Sequence, residues 1–148
     1  MGEAAWRWRT IEHTGDLAIE VEAPSLGQLF LAGAHGLVGV LLGEEAGPEK
    51  PERPKATVWR ELALEGPDRE VLLVDWLREL LYIQMSEDLL LAEAEIGELA
   101  ETRLVARAGF APPPPGKGVE RELKAVTYHD LEVSWRGNSW YARIVFDI

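Results

Sequence analysis

Two anionic groups stand side by side at the C-terminal end of the sequence. Asp147 is followed by Ile148, whose terminal carboxylate is the second anion, and both come directly after the apolar stretch Ile144 to Phe146. Holding two anions at the end of a strand costs electrostatic repulsion, and a hard cation with oxygen ligands is one reason to keep them there. The plainer explanation is that Asp147 is a solvated terminal residue.

Other polar residues with unusual neighbours also have a structural explanation beside a functional one. Asp16 can cap the turn that begins at His13 by accepting backbone N–H bonds. Lys124 can be an outward-facing lysine of an edge strand. His129 can be hydrogen-bonded to Asp130 and shape a bulge. On spacing alone, each of these residues stays a candidate.

Several catalytic signatures are absent from the sequence. It contains no HExxH, GxSxG or GxGxxG motif, and Gly116 to Gly118 lacks the context of a phosphate-binding loop. With no cysteine there is no thiol nucleophile and no thiolate metal site. A hydrolase that uses paired carboxylates is the one independent enzyme that the residues leave open.

Composition indicates one globular domain spanning residues 1–148. The mean hydropathy of −0.11 fits such a domain, and the sequence shows neither a secretory signal nor an apolar run of membrane-spanning length. We therefore expect a cytoplasmic protein. The net charge of −11 argues against general nucleic-acid binding and fits a cation binder or a protein that acts on a partner.

Periodicity places these residues on about eight strands and two main helices. Period-2 alternation predicts strands near residues 6–10, 17–22, 58–64, 89–96 and 102–110, and a closing hairpin within residues 123–148. We expect turns at Gly97 to Ala100 and at Arg136 to Ser139, and a loop from Gly43 to Lys55. Few helices serving many strands predict an α+β fold with a mostly antiparallel sheet.

The two helices have recognisable starts and faces. The first begins at Ser25, which has the capping-box spacing to Gln28, and the second runs from about residue 68 to 84 with Trp76 in its apolar stripe. Gly33, Gly36 and Gly39 cost the first helix about 1 kcal/mol each relative to Ala, which a close approach to the sheet would offset. His35 lies off the apolar stripe, so we expect it to face solvent or cap the helix.

Four blocks together resemble the archease family over nearly the whole chain. They are the segment from Glu12 to Asp16, the leucine-rich segment from Asp75 to Tyr82, the segment Lys-Ala-Val-Thr-Tyr-His-Asp-Leu from Lys124 to Leu131, and the ending Phe-Asp-Ile at 146–148. The third block and the terminal Asp-aliphatic pair are the specific parts. Gly15 departs from the Ala or Ser more usual in the family, and the loop from Pro112 to Gly118 has no match.

The resemblance implies a small α+β domain that is not an enzyme. Archeases activate the RtcB-type tRNA-splicing ligase by promoting its guanylylation and sustaining multiple turnover. The family's metal positions carry over onto Asp16, Asp147 and Ile148, with Ca²⁺, Mg²⁺ or Mn²⁺ as the cation, and Lys124 matches a functional lysine. His13 and His129 are further candidates for contact with the partner. Neither stable nucleic-acid binding nor membrane association is expected.

Two alternatives stay open at this point. One is a metal-dependent hydrolase that uses Asp16 and Asp147 directly. The other is a general chaperone or modulator in which no metal takes part.

Overall fold

Nine strands and two helices follow one another in the computed structural model, which describes residues 6–13, 16–47 and 53–148; of Glu12 and His13 it describes only the backbone. The helices are α1 (Leu26–Leu41) and α2 (Arg69–Glu87). The strands are β1 (Arg7–His13), β2 (Asp16–Ala23), β3 (Ala46–Gly47), β4 (Val58–Glu65), β5 (Leu90–Ala100), β6 (Arg103–Ala111), β7 (Ala125–Val126), β8 (Glu132–Trp135) and β9 (Trp140–Asp147). This arrangement confirms the predicted α+β class.

Six of the strands form one antiparallel sheet, which contains both the first strand and the last. Its order is β3-β1-β2-β9-β7, and β8 also pairs with β9. The predicted closing hairpin is present as β8 and β9, with a turn in which Arg136 N–H donates to the Ser139 carbonyl (2.8 Å) and Gly137 takes φ +93°. Strand β3 lies inside the segment predicted as a loop, because Gly47 leaves room for the Trp8 ring to lie directly against it.

The other sheet has three antiparallel strands in the order β4-β6-β5. The turn predicted at Gly97 to Ala100 is wrong, since β5 continues through Ala100. Register shifts between Leu91 and Glu93 and between Ile96 and Glu98 break the pairing of β5 with β6. Each irregularity disturbs the alternation of apolar and polar residues, which is why the sequence pattern suggested an early end.

Both helices begin close to their predicted starts, and each has a side-chain cap there. Ser25 accepts a hydrogen bond from Gln28 N–H (3.2 Å), and Asp68 accepts one from Val71 N–H (2.9 Å). Helix α2 extends one turn past its predicted end to Glu87, and Asp88 then stops it in a left-handed conformation with φ +54°. None of the helices in the described residues is long and apolar enough to cross a membrane.

A continuous buried cluster joins the two sheets through the helices. It includes fully buried residues of every layer: Ile19, Phe30, Trp76, Phe110 and Phe146. Trp76 is a core residue as predicted, and its indole N–H donates to the Phe30 carbonyl (3.0 Å), which fixes α2 against α1. The expectation for His35 is wrong, because its ring is only partly exposed and stacks on Trp6 with 4.9 Å between centroids.

Candidate functional site

The C-terminal end of β9 lies between two neighbouring strands. On one side β2 pairs Leu17 with Phe146, and on the other side β7 pairs Ala125 with Asp147. One further step along the first register brings Asp16 opposite Asp147. The structure therefore places the two aspartates at the same end of the sheet, on adjacent strands.

Lys124 approaches this end from the other side of β9. Its backbone N–H donates to the carbonyl oxygen of Asp147 (2.8 Å), and one further register step sets it opposite Ile148. The side chains of Lys124, Asp147 and Ile148 are all exposed. We name this end of the three strands, with Asp16, Lys124, Asp147 and Ile148, the carboxylate edge.

Strand pairing also brings His13 near the carboxylate edge. Its backbone pairs with that of Asp16 at the β1–β2 turn. The side chain of His13 and the turn residues Thr14 and Gly15 lie outside the described part of the structure. The candidate role of His13 and the turn-capping explanation of Asp16 therefore both stay predictions.

The aspartates of the carboxylate edge lie on the face of the sheet that points away from the core. Directly paired residues of antiparallel strands share a face, and alternate residues of one strand lie on opposite faces. Leu17 and Phe146 are buried in the core, so Asp16 and Asp147 belong to the outward face. Their carboxylates are thus placed where an ion or a partner in solvent can reach them.

Farther along the outward face, acidic groups are compensated by hydrogen bonds and ion pairs. Glu20 pairs with Arg9 (2.6 Å) and accepts a hydrogen bond from the Tyr141 hydroxyl (2.8 Å). Burial raises the pKa of Tyr141, and the bond to Glu20 raises it further. Among the described residues the Asp147 carboxylate has no such hydrogen bond or ion pair. Asp147 is therefore available for an external ligand, whereas Glu20 is already engaged.

The chemistry of the carboxylate edge suits a hard cation only in an open form. No three His, Cys, Asp or Glu side chains of the described residues gather closely enough to hold a metal ion. Two aspartate side chains and a main-chain terminal carboxylate are an all-oxygen set of the type that Ca²⁺, Mg²⁺ and Mn²⁺ accept, with water completing the shell. The residues fit a weakly bound, solvent-open cation better than an enclosed one.

A network from α2 fixes the segment that carries Lys124 and His129. Arg78 donates from Nε to the Val126 carbonyl (2.9 Å) and from Nη1 to the Tyr128 hydroxyl (3.1 Å), while its guanidinium lies 4.3 Å from the Tyr128 ring centroid. The Tyr128 hydroxyl donates to Asp75 Oδ1 (2.9 Å). Partial burial raises the pKa of Tyr128, and the bond to Asp75 adds to the increase.

Sequence reasoning missed this network. The available signal was the three-residue spacing of Asp75 and Arg78, which places both side chains on one helix face outside the apolar stripe. Nothing in the sequence indicated that Tyr128, about fifty residues later, would be their partner.

His129 and Asp130 follow the network and change the direction of the chain. His129 Nε2 lies 3.5 Å from Asp130 Oδ2, and Asp130 takes the left-handed conformation with φ +51°. The pairing register with β9 differs between β7 and β8 on either side of this turn. This geometry supports the structural explanation of the pair. A role of His129 in contacting a partner stays a prediction.

Comparison with known proteins supplies the family. The model of the Archease protein family matches residues 8–148. This chain belongs to the archease family. Protein archease of Pyrococcus abyssi is 34% identical over 148 residues, covering 96% of this chain and 99% of the relative. That of Methanopyrus kandleri is 32% identical over 146 residues, covering 95% and 99%.

Solved structures share the archease fold. The solution structure of Methanobacterium thermoautotrophicum protein 1598 matches with a TM-score of 0.71 at 23% identity, over 95% of this chain and 98% of that one. A Thermotoga maritima protein, described as an archease and possible chaperone, matches with a TM-score of 0.57 at 22% identity, over 93% and 94%. At these identities the likeness concerns the fold alone.

Proposed function

We propose that this archease is a non-catalytic activator of an RtcB-type RNA ligase and acts in tRNA splicing or RNA repair in the cytoplasm. It promotes guanylylation of the ligase and sustains multiple turnover, and it binds no nucleic acid stably by itself. The observation that carries the proposal is the carboxylate edge, where the strand register gathers Asp16, Asp147 and Lys124 in a chain of the archease family.

The carboxylates have the role of cation ligands in this proposal. Asp16, Asp147 and the Ile148 carboxylate would hold a Ca²⁺, Mg²⁺ or Mn²⁺ ion, with waters filling the remaining positions. A bound cation supplies charge neutralisation for phosphoryl transfer, a reaction that depends mainly on positioning and electrostatics. The Lys124 ammonium adds a positive charge at the carboxylate edge. It can form an ion pair with an anionic group of the ligase or of its nucleotide.

The charge of the protein supports a protein partner of opposite sign. The net charge is −11, and a ligase that handles RNA carries a basic surface. Opposite fields speed the encounter and orient the two surfaces. The exposed position of Asp147 on the outward face lets it meet such a surface without rearrangement of the sheet.

The decisive experiment measures GMP transfer onto the cognate ligase with and without this protein. We expect faster guanylylation, and several ligation cycles per ligase molecule where the ligase alone completes few. The stimulation should require a divalent cation. An unchanged rate of guanylylation at every protein concentration would refute the proposal.

Two further measurements separate the alternatives. Phosphate-ester hydrolysis by this protein alone, abolished by Asp147→Ala, would favour a metal-dependent hydrolase. Suppression of aggregation of unrelated proteins, insensitive to chelators and to Asp147→Ala, would favour a general chaperone. We expect neither result.

A further inference from the structure

A groove runs between helix α2 and the strand that leads into the carboxylate edge. One wall consists of Arg78, Leu81, Tyr82 and Met85, and the other is the extended segment Leu123–Val126. The groove has a volume of about 490 Å³ and is open to solvent. We call it the α2–β7 groove.

The helical wall of the groove exposes apolar surface in a regular pattern. Its members stand at i, i+3, i+4 and i+7, so they form one continuous stripe along α2. Tyr82 is 68% exposed and Met85 is 39% exposed, whereas the opposite face of α2 is fully buried. Tyr82 and Met85 are thus neighbouring exposed apolar side chains on this stripe, and adjoining apolar surface that is open to water is typical of a site that binds another molecule.

The charge of the groove is opposite to that of the whole protein. Among the described residues its lining contains two cations, Arg78 and Lys124, and no acidic residue, in a chain of net charge −11. The Arg78 guanidinium is engaged by Val126 and Tyr128, as described above. The Lys124 ammonium has no hydrogen bond or ion pair within the described residues. The groove thus offers an uncompensated positive charge beside apolar surface.

Lys124 makes the groove continuous with the carboxylate edge. It lines the groove, and its backbone N–H is bonded to the Asp147 carbonyl (2.8 Å). By strand alternation the Lys124 and Asp147 side chains lie on opposite faces of the sheet, so a partner that meets both must pass round the end of the strands. The edge of β7 is covered where Arg78 occupies the Val126 carbonyl, so recognition here relies on side chains rather than on addition of a strand.

We propose that the α2–β7 groove is the docking site for a segment of the ligase that carries an apolar side chain next to an acidic one. The apolar side chain packs between Tyr82 and Met85, and the carboxylate pairs with Lys124. The inference rests on the proposed function for the identity of the partner. It adds that affinity for the ligase comes from this groove, whereas stimulation comes from the carboxylates of Asp16, Asp147 and Ile148.

The test compares the double variant Tyr82→Ser/Met85→Ser with the control Val119→Ser. Val119 is also exposed, at 40%, but lies outside the groove. All of these side chains are on the surface, so circular dichroism and thermal melting should show intact folds. The dissociation constant of the complex with the ligase is measured by fluorescence titration, and guanylylation is measured at saturating protein.

We expect the double variant to raise the dissociation constant at least tenfold and to regain wild-type stimulation at saturation. Val119→Ser should match the wild type. Lys124→Glu should also weaken binding, and added salt should narrow its difference from the wild type because screening weakens the charge contact.

An unchanged dissociation constant for the double variant would overturn the groove as a docking site, even if the wild type stimulates the ligase fully. The groove assignment stands without the proposed function if the wild type binds the ligase without stimulating it and the double variant binds less tightly. It falls if the wild type does not bind the ligase. It also falls if sedimentation shows a wild-type dimer that the double variant dissociates, because a second copy would then occupy the groove.

Discussion

Lys124 donates its backbone N–H to the carbonyl oxygen of Asp147, with 2.8 Å between the two atoms. A main-chain bond thus sets a cationic residue and an anionic residue next to each other on adjacent strands. Their juxtaposition depends on strand register rather than on contact between the two side chains. Substitution of either side chain should consequently alter the chemistry of the carboxylate edge while leaving the sheet intact.

Removing an aspartate of the carboxylate edge should impair ligase stimulation more than stability. Asp16→Ala and Asp147→Ala should each lower stimulation at least tenfold, equivalent to about 1.4 kcal/mol of activation free energy. The unfolding free energy should fall by about 1 kcal/mol or less. Because both carboxylates serve one cation in the proposed function, the double variant should be little worse than either single one. Guanylylation assays and chemical denaturation measure the two effects.

Glu61→Ala is the matched control for these variants, because Glu61 is an exposed strand residue on the other sheet with no ion pair among the described residues. Glu20 is unsuitable, since it holds both Arg9 and Tyr141. Unfolding of Asp16→Ala, or full stimulation by it, would make Asp16 a structural turn residue.

Extending the chain beyond Ile148 should impair stimulation and spare the fold. A peptide extension replaces the Ile148 carboxylate with a neutral amide and displaces the negative charge from the carboxylate edge. The pairing of β9 with β2 and β8 ends before that point, so thermal melting should be unchanged. The comparison needs an N-terminally extended protein as control. Equal stimulation by both extended proteins would show that the terminal carboxylate is dispensable.

Two glycines of α1 should respond in opposite ways to alanine. A Cβ at Gly33 would lie 3.6 Å from Leu73 and Leu77, an ordinary contact, so Gly33→Ala should stabilise the protein by up to about 1 kcal/mol. A Cβ at Gly39 would overlap the ring of Trp8, so Gly39→Ala should destabilise it by about 1–3 kcal/mol. Urea denaturation measures both changes. A gain for Gly39→Ala would mean that the Trp8 ring moves freely.

The Tyr128 hydroxyl should contribute measurably to stability. Tyr128→Phe removes the bonds to Asp75 and Arg78 but keeps the ring under the guanidinium, and we expect a loss of about 0.5–1.5 kcal/mol. Tyr82→Phe is the control, because its hydroxyl has no partner among the described residues. A double-mutant cycle with Asp75→Ala should show coupling. Purely additive losses would argue that the hydroxyl and Asp75 do not interact in solution.

Glu132 should make stability depend on pH in the acid range. The hydrogen bond from Arg136 (3.0 Å), followed by that from Ser134 (2.9 Å), holds the pKa of Glu132 below its usual value. A lowered pKa in the folded state stabilises the protein above the unfolded-state pKa of about 4.3, and this contribution disappears as the pH falls through the folded-state pKa.

Glu132→Gln should therefore cost up to about 1 kcal/mol at pH 7, since the contact is partly exposed, and the cost should shrink towards low pH. Denaturation at several pH values measures it, with Glu61→Gln as the control. A difference from the wild type that does not change with pH would contradict the ion-pair explanation.

Local signals in the sequence predicted local structure well. Ser25 starts its helix because a side-chain cap acts over three residues, and the turn at Gly137 follows from the need for positive φ. The residues of the carboxylate edge were predicted by combining the pattern of a strand at the C-terminal end with the resemblance to the archease family. Periodicity could not predict which strands pair with β9, because alternation describes one strand at a time.

Features that depend on distant residues were missed for the same reason. The β5 bulges depend on its pairing with β6, and the stacking of His35 depends on Trp6. The contacts among Asp75, Arg78 and Tyr128 join residues that are 50 and 53 positions apart in the sequence. Such contacts depend on how helices and strands pack together, and they leave no periodic pattern in a single sequence.

The pairing of β2 with β9 has a consequence for how the molecule folds. Tyr141 and Glu20, bonded across these strands, are 121 residues apart in sequence. Closing so long a loop costs chain entropy before any contact can offset that cost. Folding should therefore be slow, and the β2–β9 pairing should form late. The two aspartates should then come together only after helices α1 and α2 have formed, so refolding followed by helix content should finish before the capacity to stimulate the ligase returns.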